Sequence, residues 1–364
     1  MTMVQVDGNT TFQDSRDVIV QSQYRYPFPP DPVGWYCLGF SDDLQPGQLT
    51  HQTFAGREVI LFRTEGGNFA VTDAHCPHLG GHLGHGGKVL GETVQCPFHG
   101  FCFDTTGACT RTDYGTKPPP KARLRVWPTK EENGLLMVFY HPFGDPPTWT
   151  PPTLEDADWT PLARDRFVVR THPQETSENS VDFGHFSVVH GYTDTDILSD
   201  LTVDGPHLSG KYVLHRPADV FFQSRTTIRA EFEVHVWGLG YSLVDVYVKQ
   251  FNLRTRVFVL ATPIDGEKIT IHSAASVSQK TKPGDVHWAL RLLPKKWAYR
   301  FLARAALKGY CADLAADFDI WENKVYVDPP VLAQGDGPIS TYRKYCRQFY
   351  PHRKQWDAQQ LGKT

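Results

Sequence analysis

From Gly34 onward the apolar residues fall in short runs, each cut by turn-forming residues, which is the pattern of strands rather than helices. REVILFR (57–63) and NFAVT (68–72) flank Glu65-Gly66-Gly67 and predict a hairpin. RLRVWPT (123–129) and LLMVFY (135–140) flank Asn133-Gly134 and predict a second. Residues 34–141 therefore predict a small all-β domain. An arm over 1–33, ending in the turn-forming YPFPPDP, precedes it. Residues 142–162 hold six prolines and no periodicity, and are read as a linker. From 163 onward the two periods mix. A strand is expected over 166–171. A helix is expected over 177–190, capped at Thr176-Ser177. Long alternating strands follow over 211–278, with Asp265-Gly266 as a turn, then a helical stretch over 284–324 kinked at Pro294. Residues 163–364 thus predict a curved antiparallel sheet with helices on one side, and the whole chain is α+β. The tail over 325–364 carries no clear fold signal.

The length, 364 residues, suits about two domains. With 40% hydrophobic and 21% charged residues the composition is that of a globular protein, not a disordered or fibrous one. Lys+Arg 37 against Asp+Glu 40 leaves a net charge of -3, which disfavours a nucleic-acid partner. No run approaches the ~20 apolar residues of a membrane span. The first residues have neither the cationic start nor the apolar core of a secretory leader. Seven cysteines, an odd count, point to a reducing cytoplasm with thiols free or metal-bound, and sixteen histidines prompt a search for metal sites.

The search finds CPHLGGHLGHGGKVLGETVQCPFHGF, in which Cys76-Pro-His78 and Cys96-Pro-Phe-His99 are separated by 17 residues. Two mixed Cys/His pairs on Gly- and Pro-rich loops can turn two thiolates toward one iron and two imidazoles toward another. That is the ligand set of a Rieske [2Fe–2S] cluster. A Cys2His2 zinc site is the alternative, but zinc fingers segregate Cys from His and put the histidines on a helix. His75, His82 and His85 lie outside the paired spacing and are expected to face solvent or support the ligands. Cys102 and Cys109 fall in a predicted hairpin beyond the second loop and read as ordinary thiols. Quinol-oxidising Rieske proteins add a Cys to each loop and a Ser near the cluster. Gly80 or Gly81 and Phe101 stand in those places here. Fewer hydrogen bonds to sulfur imply a lower potential, suited to an oxygenase.

A second constellation lies in QETSENSVDFGHFSVVHGY. His185 and His190 sit five apart, with Asp182 one turn before His185. On a helix that loosens at its end the two histidines can share a face. Two His and one carboxylate are the ligands of a non-haem Fe(II) that binds O2. Asp317, in LAADFDIWENK, is the best candidate for the carboxylate, with Asp313 and Asp319 as rivals.

Together these motifs resemble the Rieske non-haem iron ring-hydroxylating oxygenases of the α-subunit type, over nearly the whole chain. In that family the iron motif reads Asn-x-x-Asp-x-x-His-x4-His, matched by Asn179, Asp182, His185 and His190. Its carboxylate ligand lies five residues before a common Glu, a spacing that Asp317 and Glu322 share and that favours Asp317. The resemblance implies a Rieske domain followed by a helix-grip, START-like catalytic domain. It also implies a head-to-tail homotrimer in which Asp182 hydrogen-bonds His185 and bridges to His78 or His99 of a neighbouring subunit. The stretches GWYCLGF, CPHLGGHLGHGGKV, QETSENSVDFGHFSVVH, DFDIWENKVYVDPPVL and DGPISTYRKYCRQFY look like those of 3-ketosteroid 9α-hydroxylase oxygenase components and cholesterol 7-desaturases. The expected activity is therefore a terminal monooxygenase that hydroxylates or desaturates a bulky apolar substrate: a steroid or sterol, a terpenoid or a polyketide.

No dinucleotide fingerprint is present, so NAD(P)H electrons are expected through a separate ferredoxin or flavin reductase. A Rieske electron carrier and a START-like lipid-binding protein with a non-catalytic iron site are the alternatives. Arg291, Lys295, Lys296, Arg300, Arg304 and Lys308 form a basic stripe in the helical stretch, with Leu293, Trp297 and Phe301 on another face. The stripe is either a solvated face over a packed one or a docking surface for an acidic redox partner or an anionic membrane.

Overall fold

The computed structural model describes residues 25–218 and 226–351, so positions 1–24 of the expected arm lie outside the described residues. Short strands come first, as the turn signals predict: β1 (Gly34–Phe40), β2 (Leu49–Phe54), β3 (Arg57–Arg63), β4 (Phe69–Asp73), β5 (Lys88–Leu90), β6 (Thr93–Gln95), β7 (Cys102–Asp104), β8 (Cys109–Arg111), β9 (Val126–Trp127), β10 (Thr129–Glu132) and β11 (Leu135–Tyr140). They make three antiparallel sheets, ordered β1-β11-β10, β2-β3-β4-β9 and β5-β6-β7-β8. Both expected hairpins form. The second is shorter on its first arm. Pro128 has no N–H to give a ladder, so the chain breaks there, β9 joining β4 and β10 joining β11. Asn133 and Gly134 take φ 55° and 75°, as this tight turn requires.

The later strands are β12 (Ala163–Val169), β13 (Thr193–Asp204), β14 (His207–Ala218), β15 (Thr226–Trp237), β16 (Tyr241–Val248), β17 (Leu253–Pro263) and β18 (Ile269–Val277). They form one seven-stranded antiparallel sheet in the order β12-β18-β17-β16-β15-β14-β13. The run of long strands starts at Thr193, not at 211, and Ala163–Val169 joins the same sheet beside β18. β13 is an edge strand, exposed along most of its length and register-shifted against β14, so its sequence carries little alternation.

The helices depart further from expectation. The helix expected over 177–190 is two short ones, α1 (Pro173–Glu178) and α2 (Gly184–Val188). The cap is His172, whose Nδ1 accepts from the Gln174 N–H at 3.0 Å, with Pro173 opening the helix. Thr176 and Ser177 lie inside α1, and the Thr176 hydroxyl donates back to the Pro173 carbonyl at 2.8 Å. The stretch over 284–324 divides into α3 (Pro283–Val286), a 3-10 turn over Trp288–Leu292, α4 (Lys295–Ala316) and α5 (Phe318–Asn323). Pro294 caps the start of α4 rather than kinking it. α4 buries Ala298, Leu302, Ala303, Leu307 and Cys311 against β17 and β18. Leu293, Trp297 and Phe301, expected on a packed face, are exposed beside the basic stripe. The tail contributes α6 (Ile339–Cys346), whose Tyr342 and Tyr345 enter the core of the sheet.

One apolar cluster joins the two halves: Trp35, Cys37 and Phe139 pack on Tyr241, Leu243 and Phe258. Gly240 permits this contact, since a Cβ there would lie 2.5 Å from the Tyr36 ring and 2.7 Å from the Trp35 carbonyl oxygen. Among the described residues no helix is long and apolar enough to cross a membrane.

α1 is held from below by α6. Arg343 forks onto Glu178, with Nε and Nη2 donating to its two carboxylate oxygens at 2.8 and 3.0 Å, and Nη1 donating to the Val327 carbonyl at 2.6 Å. Both side chains are nearly buried. Arg343→Met removes the bidentate partner and leaves Glu178 only the longer ion pair with Lys324 at 3.8 Å, so we expect a loss of about 3 kcal/mol, measured by denaturant unfolding. A loss within experimental error contradicts the clamp.

Candidate metal centres and active site

Two loops of the β unit have the same backbone construction. In the first, Cys76 N–H donates to the Gly81 carbonyl at 2.8 Å and Gly80 N–H to the Cys76 carbonyl at 2.9 Å. In the second, Cys96 N–H donates to Phe101 at 2.8 Å and Gly100 N–H to Cys96 at 3.1 Å. Gly80 and Gly100 occupy the same left-handed position, φ 76° and 66°. The loops face each other so closely that a Cβ on Gly81 would lie 3.0 Å from the Cys96 sulfur. Cys76 and Cys96 are buried, the His78 and His99 rings are 4.7 Å apart, and Phe101 stacks on His78 at 4.4 Å. Burial, with Cys96 beside it, pushes the Cys76 thiol up to about 11 against the pull of a backbone hydrogen bond. The His78 Nδ1 is buried with no hydrogen-bond partner. Two buried sulfurs and an orphaned imidazole nitrogen in one cradle suit a metal cluster, whose positive charge reverses the thiol shift. His75 and His85 are exposed, and Cys102 and Cys109 sit on β7 and β8.

The second centre draws on elements far apart in sequence. α2 ends at Val188 and the chain stays helical through Val189, which sets His190 beside His185, ring centroids 5.0 Å apart, before Gly191 (φ 69°) turns it. Asp317 sits at the junction of α4 and α5, 4% exposed, with Oδ2 3.6 Å from His190 Nε2. One donor atom from each of His185, His190 and Asp317 lies within 4.8 Å of the others. The rivals go elsewhere: Asp313 accepts from the Tyr192 hydroxyl at 2.9 Å, and Asp319 is exposed on α5. Glu322 accepts from the Arg170 N–H at 3.1 Å. Asn179 caps the C-terminal end of α1 and its Oδ1 accepts from the Trp321 indole at 3.4 Å.

His185 Nδ1 is 2.6 Å from the Asp182 backbone carbonyl, while the Asp182 carboxylate lies 3.6 Å away. The ring proton thus goes to the carbonyl, leaving Nε2 as the lone-pair nitrogen. The carboxylate instead accepts the His185 N–H at 3.3 Å. Burial tends to raise the Asp182 carboxyl, but its hydrogen bonds from His185 and Gly184 outweigh it and the net shift is downward.

The three donors open on a cavity of about 90 Å³ walled by Phe186, Tyr192, Tyr212, Phe232, Leu314 and Trp321. A second cavity of about 440 Å³ adjoins it through Ser180, Tyr212 and Val234. These walls were not anticipated. Tyr212 and Phe232 stack at 5.9 Å across β14 and β15, a pairing visible only once the register is known.

Residues 34–128 match the family model of the Rieske [2Fe-2S] domain, and 138–350 that of the 3-ketosteroid 9alpha-hydroxylase C-terminal domain. This chain is a Rieske non-haem iron oxygenase. It belongs to the family defined by that C-terminal domain. Cholesterol 7-desaturase nvd of Xenopus laevis is 30% identical over 337 residues, covering 88% of this chain and 72% of the relative. A probable 3-ketosteroid-9-alpha-monooxygenase oxygenase component of Rhodococcus rhodochrous is 29% identical over 342 residues, covering 87% and 79%. Dicamba monooxygenase bound to dicamba shares the fold at TM-score 0.61 and 17% identity, over 89% of this chain and 98% of that one. Pseudomonas putida CBB5 NdmA with caffeine does so at TM-score 0.65 and 18% identity, over 86% and 89%. As an oxygenase component the chain works with a [2Fe–2S] cluster, a mononuclear iron and O2, and receives NAD(P)H electrons from a separate reductase or ferredoxin.

Burial, partly opposed by His185 and by a hydrogen bond from Asn179, pushes Asp317 from an ordinary 3.8 to about 6. The folded value exceeds the unfolded one, so in the iron-depleted protein the ionised carboxylate costs stability as pH rises through that window, up to ~3 kcal/mol. Iron-depleted Asp317→Asn is therefore expected to unfold at a higher temperature than iron-depleted wild type at pH 7.5. The gap should close toward pH 4. A variant no more stable at pH 7.5 contradicts the burial cost.

Proposed function

We propose that this chain is the terminal oxygenase for a bulky, apolar polycyclic substrate of the steroid or sterol class. In this reading Cys76, His78, Cys96 and His99 hold the cluster, and His185, His190 and Asp317 hold the iron. The observation that carries it is the buried convergence of those last three side chains on an apolar cavity. When bound, the two centres supply single electrons and an open coordination site for O2. The protein's part is positional. The Asp182 carbonyl fixes the His185 tautomer, Asn179 steadies Asp317, and the aromatic wall keeps water from the site. The neighbouring cavity of about 440 Å³ is in the size range of organic ligand sites and supports a large substrate.

Substrate class comes from the relatives, named for cholesterol and 3-ketosteroids. Product analysis by mass spectrometry, with a sterol and steroid panel and a surrogate reductase, tests it. Oxidised product from none of the panel sinks the substrate class while leaving the enzyme class standing.

We further propose a head-to-tail homotrimer, with Asp182 bridging His185 to His78 or His99 of the next subunit. Two surfaces support this. His78 and His99 reach a rim where Leu79 and Phe98 are 65% and 60% exposed, and the Asp182 side chain itself reaches the surface. The face around Trp288, Leu292 and Trp297, set among Arg291, Lys295, Lys296 and Arg300, supports peripheral contact with an anionic membrane. The absence of any disulfide among the seven cysteines supports a cytoplasmic location.

Two measurements check these assignments. Metal analysis should find three irons and two acid-labile sulfides per chain. Stoichiometric zinc without sulfide would falsify the cluster. Asp182→Ala should keep both metals yet lose most coupled turnover, whereas His185→Ala should lose the mononuclear iron itself. Near-normal turnover in Asp182→Ala rules out the bridge.

A further inference from the structure

A third group of side chains, outside both centres, has the donor chemistry of a cation site. Glu58, His75 and His82 bring ligand atoms within 4.8 Å of one another, with Glu58 Oε2 3.7 Å from Nε2 of each histidine. The backbone sets this up. His75 and His82 oppose each other across an isolated antiparallel bridge, closed by the Cys76 N–H to Gly81 bond and by Leu83 N–H to the Ala74 carbonyl at 2.8 Å. Opposed residues project to one face and their chain neighbours to the other. Cys76 therefore turns its thiol toward the cluster cradle, while His75 and His82 present their rings on the back of the same loop, toward Glu58 on β3.

Two more histidines close in. The His51 ring is 4.5 Å from that of His85 and 5.3 Å from that of His82, and His82 is 4.5 Å from His85. Gly84 admits this packing, since a Cβ there would lie 2.6 Å from the His51 Cβ. The Nε2 of His82 is buried, has no hydrogen-bond partner and faces Glu58. Burial, ahead of the opposing pull of Glu58, holds His82 below the ordinary histidine range, in the neutral form a cation needs.

We propose that Glu58, His75 and His82 form a site for one divalent cation of the zinc, nickel or copper class. Imidazoles with a single carboxylate favour these ions over magnesium or calcium. Glu58 and His75 are exposed, so the ion reaches the site from solvent. Binding at His82 Nε2 moves the ring proton to Nδ1, in exchange for the hydrogen bond Nδ1 accepts from Gly84 N–H at 3.0 Å. The site lies one residue from Cys76. If Cys76 holds the cluster, as proposed above, a cation there stabilises the more negative, reduced state and raises the cluster's midpoint potential.

The test titrates Zn2+ into the holoenzyme, loaded with cluster and mononuclear iron, against a chromophoric chelator. We expect one zinc per chain beyond the irons, with affinity at least about tenfold weaker in Glu58→Gln and in His75→Gln. If His75→Gln disturbs the cluster loop, Glu58→Gln, on a separate strand and with an unchanged cluster spectrum, decides alone. No zinc bound to wild type overturns the site. So does equal affinity in Glu58→Gln, the result that zinc displacing the mononuclear iron would give. Potentiometry adds a second readout: zinc should raise the midpoint potential in wild type and not in Glu58→Gln. An equal shift in both variants, or none in wild type while zinc is bound, overturns the coupling to the cluster.

Discussion

A carboxylate buried among aromatic and aliphatic side chains is the constraint around which the second half of this protein is arranged. Asp317 is 4% exposed and walled by Leu314 and Trp321, and burial, against the opposing pull of His185 and an Asn179 hydrogen bond, holds its carboxyl near 6. An ionised group in such a place is costly unless it is paired or bound to a cation. A divalent cation held between that carboxylate and the two imidazoles would offset the cost. The surrounding elements hold the three donors together against it. α4 packs along β17 and β18 and so fixes the junction at which Asp317 sits. The Arg343–Glu178 fork fixes α1 and, at its end, Asn179.

The cluster cradle solves a different problem by simpler means. Each loop closes on its own backbone hydrogen bonds and needs only a left-handed glycine at the same place. The sulfurs are sheltered by the core containing Phe62, Leu83 and Phe103, while the histidines stay at the rim. In the proposed assignment that division suits electron entry from outside: sulfurs inside, imidazoles at the rim. Phe101, stacked on His78, stands where a hydrogen-bonding residue would raise the potential, which agrees with an oxygenase.

How much was legible in the sequence follows from this contrast. The cradle was readable because its Cys and His pairs lie within two short loops whose turns are written as Gly and Pro. The hairpins at Gly66-Gly67 and Asn133-Gly134 were readable for the same reason. The helix over 177–190 was read as continuous because its apolar spacing runs unbroken through Val181 and Phe183. Its division comes from outside the segment: His172 and Pro173 start α1 early, and Arg343, far along the chain, draws Glu178 downward. The three exposed residues Leu293, Trp297 and Phe301 have helical spacing, yet the sheet accepts only the face with Ala298 and Ala303, whose small side chains allow close approach. Periodicity shows that a helix has two faces and does not say which one is chosen.

The larger of two adjoining cavities lies beside the His185, His190 and Asp317 donors rather than among them. The space of about 90 Å³ beside His185, His190 and Asp317 is too small for a fused-ring substrate, while the adjoining 440 Å³ falls within the usual range for organic ligands. The wall between them consists of Ser180, Tyr212 and Val234, and Tyr212 is itself held by Phe183, Phe186 and Phe232. On the proposed reading, a polycyclic substrate seated in the larger cavity bears on that aromatic stack. Phe186 lies one residue from His185, so a shift of the stack also bears on that imidazole. The larger cavity and the His185 imidazole are therefore joined through α2, by residues adjacent in the chain.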